Sequence, residues 1–262
     1  METQITLSPG KLNESLHDLE SEIRKKPADG SLRIYLFQLL SILGQWERAL
    51  NQLKVIEGME THKPFAHVFK PLVQCELLRG RIFAGQTTPL VFGEPQEWIG
   101  LMVKALQEEC QGNARLAAHI RSTALEQSPA IPGRVGDEGF AWLSDADSRL
   151  GPVLEACIEK KYYWVPLTAV RTLRLHAPAD LRDLIWAPAE FTWTHNGHSK
   201  GHLFVRYPGT DQAADDALKL ARLTNWQERD EAQFHGLGQK ILNTDRSEYP
   251  LLEIRQLELT HA

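Results

Sequence analysis

A chain of 262 residues, 42% hydrophobic and 24% charged, has the composition of a packed soluble protein and not of a disordered one. Its formal net charge of -5 argues against a nucleic-acid role, because phosphate binding calls for a basic stripe. No run approaches about 18 apolar residues, and Met-Glu-Thr-Gln-Ile-Thr lacks the features of a signal peptide, so no membrane role and a cytoplasmic location are expected.

The first half reads as helices. Ser8-Pro9 opens one as N-cap and first-turn proline, and Leu12, Leu16, Leu19 and Ile23 follow at helical steps. Pro27-Ala28-Asp29-Gly30 breaks that pattern, and a second helix carries Leu32, Leu36, Leu39, Leu40 and Leu43. After Gly44 a third carries Trp46, Ala49, Leu50, Leu53 and Val55 or Ile56. Leu36, Leu40, Gly44, Trp46 and Ala49 fit a tetratricopeptide-like helix pair, with the small Ala49 at the closest helix approach. Helices are also expected over 65–78, despite Pro71, and over 95–109 and 113–127, with a loop or short helix over 79–94. Inward repeat positions mark Ile34, Gln38, Ser41, Ile99 and Val103 as lining a concave groove for a partner.

After Pro129-Ala130-Ile131-Pro132-Gly133 the character changes to short runs of β-branched and aromatic residues. Strands are expected over 139–143, 153–158, 162–166, 169–175, 190–193, 202–207, 239–242 and 251–257, with helical pieces at 180–185 and 215–222. The fold class is therefore α+β: a tetratricopeptide-like helical domain over 1–130, then a strand-rich domain over 131–262 forming a small barrel or curled antiparallel sheet. The boundary falls near 129–138.

Three stretches invite a chemical reading. Cys75, Cys110 and Cys157 are odd in number and far apart, with no Cys-x-x-Cys, and read as reduced, buried thiols. His195, His198 and His202 could ligate a metal for a hydrolase, but Asn196-Gly197 between two strands reads as a type I′ turn, which makes His195 and His198 hairpin-tip residues. In 145–167, Glu159-Lys160-Lys161 reads as the turn joining two paired strands, with Leu154, Ala156 and Ile158 on one face and Val153, Glu155 and Cys157 on the other. Asp145, Asp147 and Ser148 suit a turn before Gly151-Pro152, with Arg149 pairing to one of the aspartates. Nucleotide-binding glycine loops and a nucleophile elbow are missing from the sequence.

The stretch GFAWLSDADSRLGPVLEACIEKKYYWVPL, 139–167, resembles the signature of the ImpE/TagJ family of type VI secretion system accessory proteins. The matching positions are Trp142, Asp145, Asp147, Arg149, Gly151, Pro152, Tyr162, Tyr163, Trp164 and Pro166. RDLIWAPAEF at 182–191, RYPGT at 206–210 and GQWERALNQL at 44–53 also resemble family segments. The resemblance implies a non-catalytic, cytoplasmic adaptor with no cofactor. It implies binding to an N-terminal helix of the small contractile-sheath subunit and a link, direct or indirect, to the ClpV AAA+ unfoldase. A tetratricopeptide scaffold with another partner is the alternative, followed by the metal-dependent hydrolase.

Overall fold

The computed structural model describes residues 11–94, 96–229 and 233–261, so the expected cap at Ser8-Pro9 and the start at Pro95 lie outside the described residues. Helix α1 (Leu12–Lys25) buries the expected stripe of Leu12, Leu16, Leu19 and Ile23. The break after it works as a cap: the Asp29 carboxylate accepts from the Ser31 and Leu32 amides and satisfies two free donors of α2 (Gly30–Ile42). At the far end, Gly44 takes φ +67° while its amide donates to Ser41 O and that of Gln45 to Leu40 O, closing the last turn. Helix α3 (Trp46–Glu57) then returns with Ala49 wholly buried.

Helix α4 (Lys63–Phe83) extends beyond the expected 65–78 at both ends. Pro64 sits in its first turn, where a missing N–H costs nothing, and Pro71 is accommodated in the interior. Helices α5 (Glu97–Cys110) and α6 (Ala114–Gln127) match the expected second pair. Between α4 and α5 the chain forms a strand that the sequence pattern does not announce, β1 (Leu90–Val91).

Strand-rich structure follows: β2 (Gly133–Val135), β3 (Glu138–Phe140), β4 (Leu143–Asp145), β5 (Val153–Ile158), β6 (Lys161–Pro166), β7 (Val170–Leu175), β8 (Trp186–Trp193) and β9 (His198–Phe204). After the short helix α7 (Asp216–Lys219) come β10 (Thr224–Arg229), β11 (Gln233–Gly238), β12 (Ile241–Thr244), β13 (Glu248–Pro250) and β14 (Gln256–Leu259). The architecture is α+β, helices first and sheets second. The small barrel does not form. The nine-stranded sheet runs β1-β6-β5-β9-β8-β7-β14-β2-β3 and stays open between its short end strands β1 and β3. Its ladders are antiparallel apart from β1 on β6, which is parallel. A second sheet, β13-β12-β4, and the β10-β11 hairpin complete the strand-rich part.

Several strand limits move for local reasons. The expected strand at 139–143 splits at Ala141, whose amide donates to the Asp245 side chain in place of a ladder. Leu251–Glu253 winds into a 3-10 turn after Pro250, so the last strand starts later than expected. The piece at 180–185 is a 3-10 turn, Leu181–Leu184, closed by a capping box between Asp180 and Asp183.

The β5–β6 hairpin sets the main layering. Ile158 pairs with Lys161, so the turn is the two residues Glu159 and Lys160, both with positive φ as a type I′ turn requires. Leu154, Ala156 and Ile158 enter one hydrophobic core with β4, β7, β12 and β14, while Val153 and Cys157 enter another with helices α1 to α6. The sheet is therefore buried on both faces where helices cover one and the small sheet the other. The 193–198 turn differs from expectation. Asn196 alone among the non-glycines there has positive φ, and Gly197 does not, so it is not type I′.

Gly44 is held by two constraints, since a Cβ there would also lie 2.3 Å from that of Asp211. Gly44→Ala is expected to destabilise the chain by about 2 kcal/mol or more, read by urea unfolding.

Candidate functional site

The residues with the most chemistry sit at the seam where α4 meets β5 and β6. Two features place them there: Glu76 and Arg79 lie on the buried side of α4, and Glu155 interrupts the apolar run of β5. Arg79 grips Glu155 with two bonds, Nε to Oε1 at 2.6 Å and Nη2 to Oε2 at 2.8 Å. It also donates to the Arg206 carbonyl at 2.6 Å and to Glu76 at 3.3 Å. Lys240 Nζ reaches Glu155 Oε2 at 2.6 Å, and the Tyr162 hydroxyl donates to Glu155 Oε1. The Trp164 indole N–H donates to the Tyr162 hydroxyl at 3.0 Å, and that of Trp186 to Glu76 at 3.2 Å.

A second knot adjoins it through Lys240, which lies 3.4 Å from Asp145. Asp145 accepts from the Asp147 amide at 2.9 Å and from the Tyr207 hydroxyl at 2.9 Å. Asp147 holds Arg149, with Nε to Oδ1 at 2.8 Å, and accepts from the Gly236 amide at 2.8 Å. The stretch read as a turn with an internal ion pair is that turn. It also joins the β10-β11 hairpin, since Ser148 N donates to Phe234 O and Phe234 N to Ser148 Oγ, each at 2.9 Å.

Arg206 closes the seam from the other side. Its guanidinium donates to the carbonyls of Ile42 at 2.8 Å and Ser41 at 3.3 Å, capping α2, and to Lys219 O at 2.7 Å. A cation at the carbonyl end of a helix meets both unpaired acceptors and the negative end of its dipole. Asp216 likewise accepts from the Leu12 amide at the start of α1. The strand-rich half thus supplies caps for both helices.

Burial decides the charge states. It pushes the Asp145 carboxyl up to about 6, aided by the like charge of Asp147 and opposed by Lys240. Burial would also raise Glu155, but Arg79 and Lys240 outweigh it and hold the carboxyl well below its ordinary value. Asp147 is lowered against its own burial by Arg149. Glu76 is raised by burial despite Arg79 and Arg206.

The signature residues divide by depth. Gly151 (φ +58°) and Pro152 turn the chain into β5, whose Val153 pairs with Pro166. Tyr162 and Trp164 are buried against the helices, Tyr163 packs edge-on to Phe92 on the other face, and Trp142 is 40% exposed. The expected groove positions are mostly consumed by the chain itself. Gln38 accepts from the Arg182 amide at 3.2 Å, Ser41 is wholly buried under Arg206, and Ile99 is buried in the helical core. Of the five, Ile34 and Val103 keep part of their surface. The 3-10 turn Leu181–Leu184 packs on α2, with the Arg182 guanidinium over Phe65 and Phe69.

The histidines do not converge. His195 accepts from Gly197 N and His198 meets Thr192 Oγ1, both exposed at the hairpin end. His202 lies four residues along β9, about 13 Å from His198 at strand rise, edge-on to Phe69. Among the described residues no group of three His, Cys, Asp or Glu is arranged to hold a metal ion. No helix among them is long and apolar enough to cross a membrane. Sequence reasoning missed Glu76, Arg79, Arg206, Tyr207 and Lys240 as a set. The available signal was charge inside apolar runs, at Glu76 and Arg79 on a helix and Glu155 on a strand.

Removing one partner of a buried pair leaves the other charge uncompensated. Asp147→Ala and Glu155→Gln are each expected to cost about 3–5 kcal/mol in denaturant unfolding.

The pH response has two opposed parts. Asp145, with its folded pKa raised, contributes stability that is full below its unfolded pKa and lost as pH rises through about 6. Asp147 and Glu155, both lowered, contribute stability present above their unfolded values and lost as pH falls below them. Between pH 7 and 5 the wild type should therefore gain about 1 kcal/mol relative to Asp145→Asn; equal slopes for the two proteins would refute the assignment.

The family model described as ImpE protein matches residues 137–258, which include the Asp145–Arg149 turn, the β5–β6 hairpin, Arg206 and Lys240. The type VI secretion system accessory component TagJ of Pseudomonas aeruginosa is 41% identical over 255 residues, covering 96% of this chain and 89% of that protein. The X-ray crystal structure of protein VPA1032 from Vibrio parahaemolyticus superposes with a TM-score of 0.88 at 26% identity, covering 97% of this chain and 95% of that one. The chain belongs to the ImpE/TagJ family of type VI secretion system accessory proteins.

Proposed function

We propose that this protein is a non-catalytic adaptor that binds an N-terminal helix of the small contractile-sheath subunit. In doing so it links that subunit to sheath assembly or to recycling by the ClpV unfoldase. The observation that carries this reading is the 41% identity to an accessory component of type VI secretion over nearly the whole chain. The fate of the polar signature residues supports the non-catalytic part. Asp145, Asp147 and Glu155 are buried and spend their oxygens on internal donors, so they are unavailable to a substrate.

The helical half is read as a degenerate tetratricopeptide-like pair of hairpins, α2–α3 and α5–α6, packed on the sheet and not open as a free groove. A helix docking by anchors at i, i+3, i+4 and i+7 would then use surface outside the part of α2 on which Leu181–Leu184 packs. The purified protein should bind a peptide of the cognate small sheath subunit's N-terminal helix with a Kd of about 1–10 μM or tighter by calorimetry. No heat and no shift in melting temperature with that peptide would reject this function.

A further inference from the structure

Folding brings together two of the three cysteines that the sequence separates. Cys75 on α4 and Cys157 on β5 are free thiols with their sulfurs 3.6 Å apart, 82 residues distant along the chain. Cys110, expected to be buried, is exposed and bonds to the Phe83 carbonyl instead. Cys75 stands one helical turn before Arg79, and Cys157 two residues after Glu155 on the same strand face. The thiol pair therefore lies on the same seam as the ion pair.

Three features distinguish this pair from two inert core thiols. Cys157, although only 5% exposed, lies at the base of a surface groove that Val68, Pro71 and Leu72 of α4 line together with Pro188 and His202. His202 faces Cys157 directly across the β5–β9 ladder, so an imidazole borders the thiol. Burial lowers the His202 pKa, which favours the neutral ring. The Cys75 thiol donates to the Cys157 sulfur, and this bond, together with the Lys160 amide, outweighs burial and draws the Cys157 pKa down while Cys75 is raised. A more acidic thiol at the groove with a protonated one behind it is the order needed for an attacking and a resolving cysteine.

We propose that Cys75 and Cys157 form an oxidation site that reacts with a small hydroperoxide and closes into a disulfide across the helix–sheet seam. The Cys157 thiolate attacks one peroxide oxygen and the O–O bond breaks. The departing hydroxide, or alkoxide from an organic hydroperoxide, takes up the proton released by the thiol and leaves as water or alcohol, giving a sulfenic acid. The Cys75 sulfur attacks the sulfenic sulfur, the S–O bond breaks, and the hydroxide leaves with the Cys75 proton as water. Two thiols lose two electrons and the peroxide gains two. From 3.6 Å the sulfurs must approach by about 1.5 Å to reach bonding distance. The product staples α4 to β5 and closes a long loop, which restricts the unfolded chain.

The test uses full-length protein carrying Cys110→Ser, treated with equimolar hydrogen peroxide. Thiol titration after denaturation should fall from two to none, and non-reducing peptide mapping should find Cys75 joined to Cys157. The melting temperature should rise by about 5–10 °C and return on treatment with dithiothreitol. In wild-type protein the same map should show the same cross-link with Cys110 still reduced. Both thiols remaining titratable, or Cys157 passing to sulfinic acid with no cross-link, would overturn the proposal. Mapping of wild-type protein alone decides this if the serine variant fails to fold.

Discussion

A guanidinium and a carboxylate withdrawn from water stabilise a protein only when every donor and acceptor they carry is met. Arg79 and Glu155 approach that condition through a two-bond grip, with the Arg206 carbonyl and Glu76 taking two more guanidinium donors and Lys240 and Tyr162 donating to the carboxylate. Because Arg79 belongs to α4 and Glu155 to β5, the pairing fixes one spacing and one angle between helices and sheet. Apolar packing alone would tolerate sliding. The stacked rings of Phe37 and Trp186 and the Arg79 cation over Phe204 pack around the same seam.

From that seam the other polar knots follow. Lys240 bridges Glu155 to Asp145, Tyr207 carries Asp145 to the backbone at Ile241, and Asp147 ties Arg149 to Gly236. The acids and arginine that make the family signature conspicuous are therefore spent on tying the strand-rich part together, through Tyr207, Gly236 and Lys240. The protein's buried acids and bases serve the fold.

Local pattern was legible, and distant pairing was not. The leucine spacing of α1 and α2, the break between them at 27–30, and the face division of β5 are properties of neighbours in the chain, and they appear as expected. Arg149 is close enough to Asp147 to be paired from spacing. By contrast Arg79 and Glu155 are 76 residues apart, and Cys75 and Cys157 are 82 apart, so no local rule could join them. Strand β1 has two residues and borrows its regularity from β6, which leaves almost no periodicity to read. Gln38 and Ser41 were expected to face a partner because repeat geometry points them inward. They do point inward, but the chain's own Arg182 and Arg206 already occupy the space.

A charged seam of this kind should make helices and sheet open together. Native-state hydrogen exchange on the intact protein tests that coupling most directly, by comparing amides in the middle of α2 and α4 with those of β5 and β6. Opening free energies are expected to agree within about 1 kcal/mol across the seam. Helices that exchange several kcal/mol more easily than the strands would contradict it.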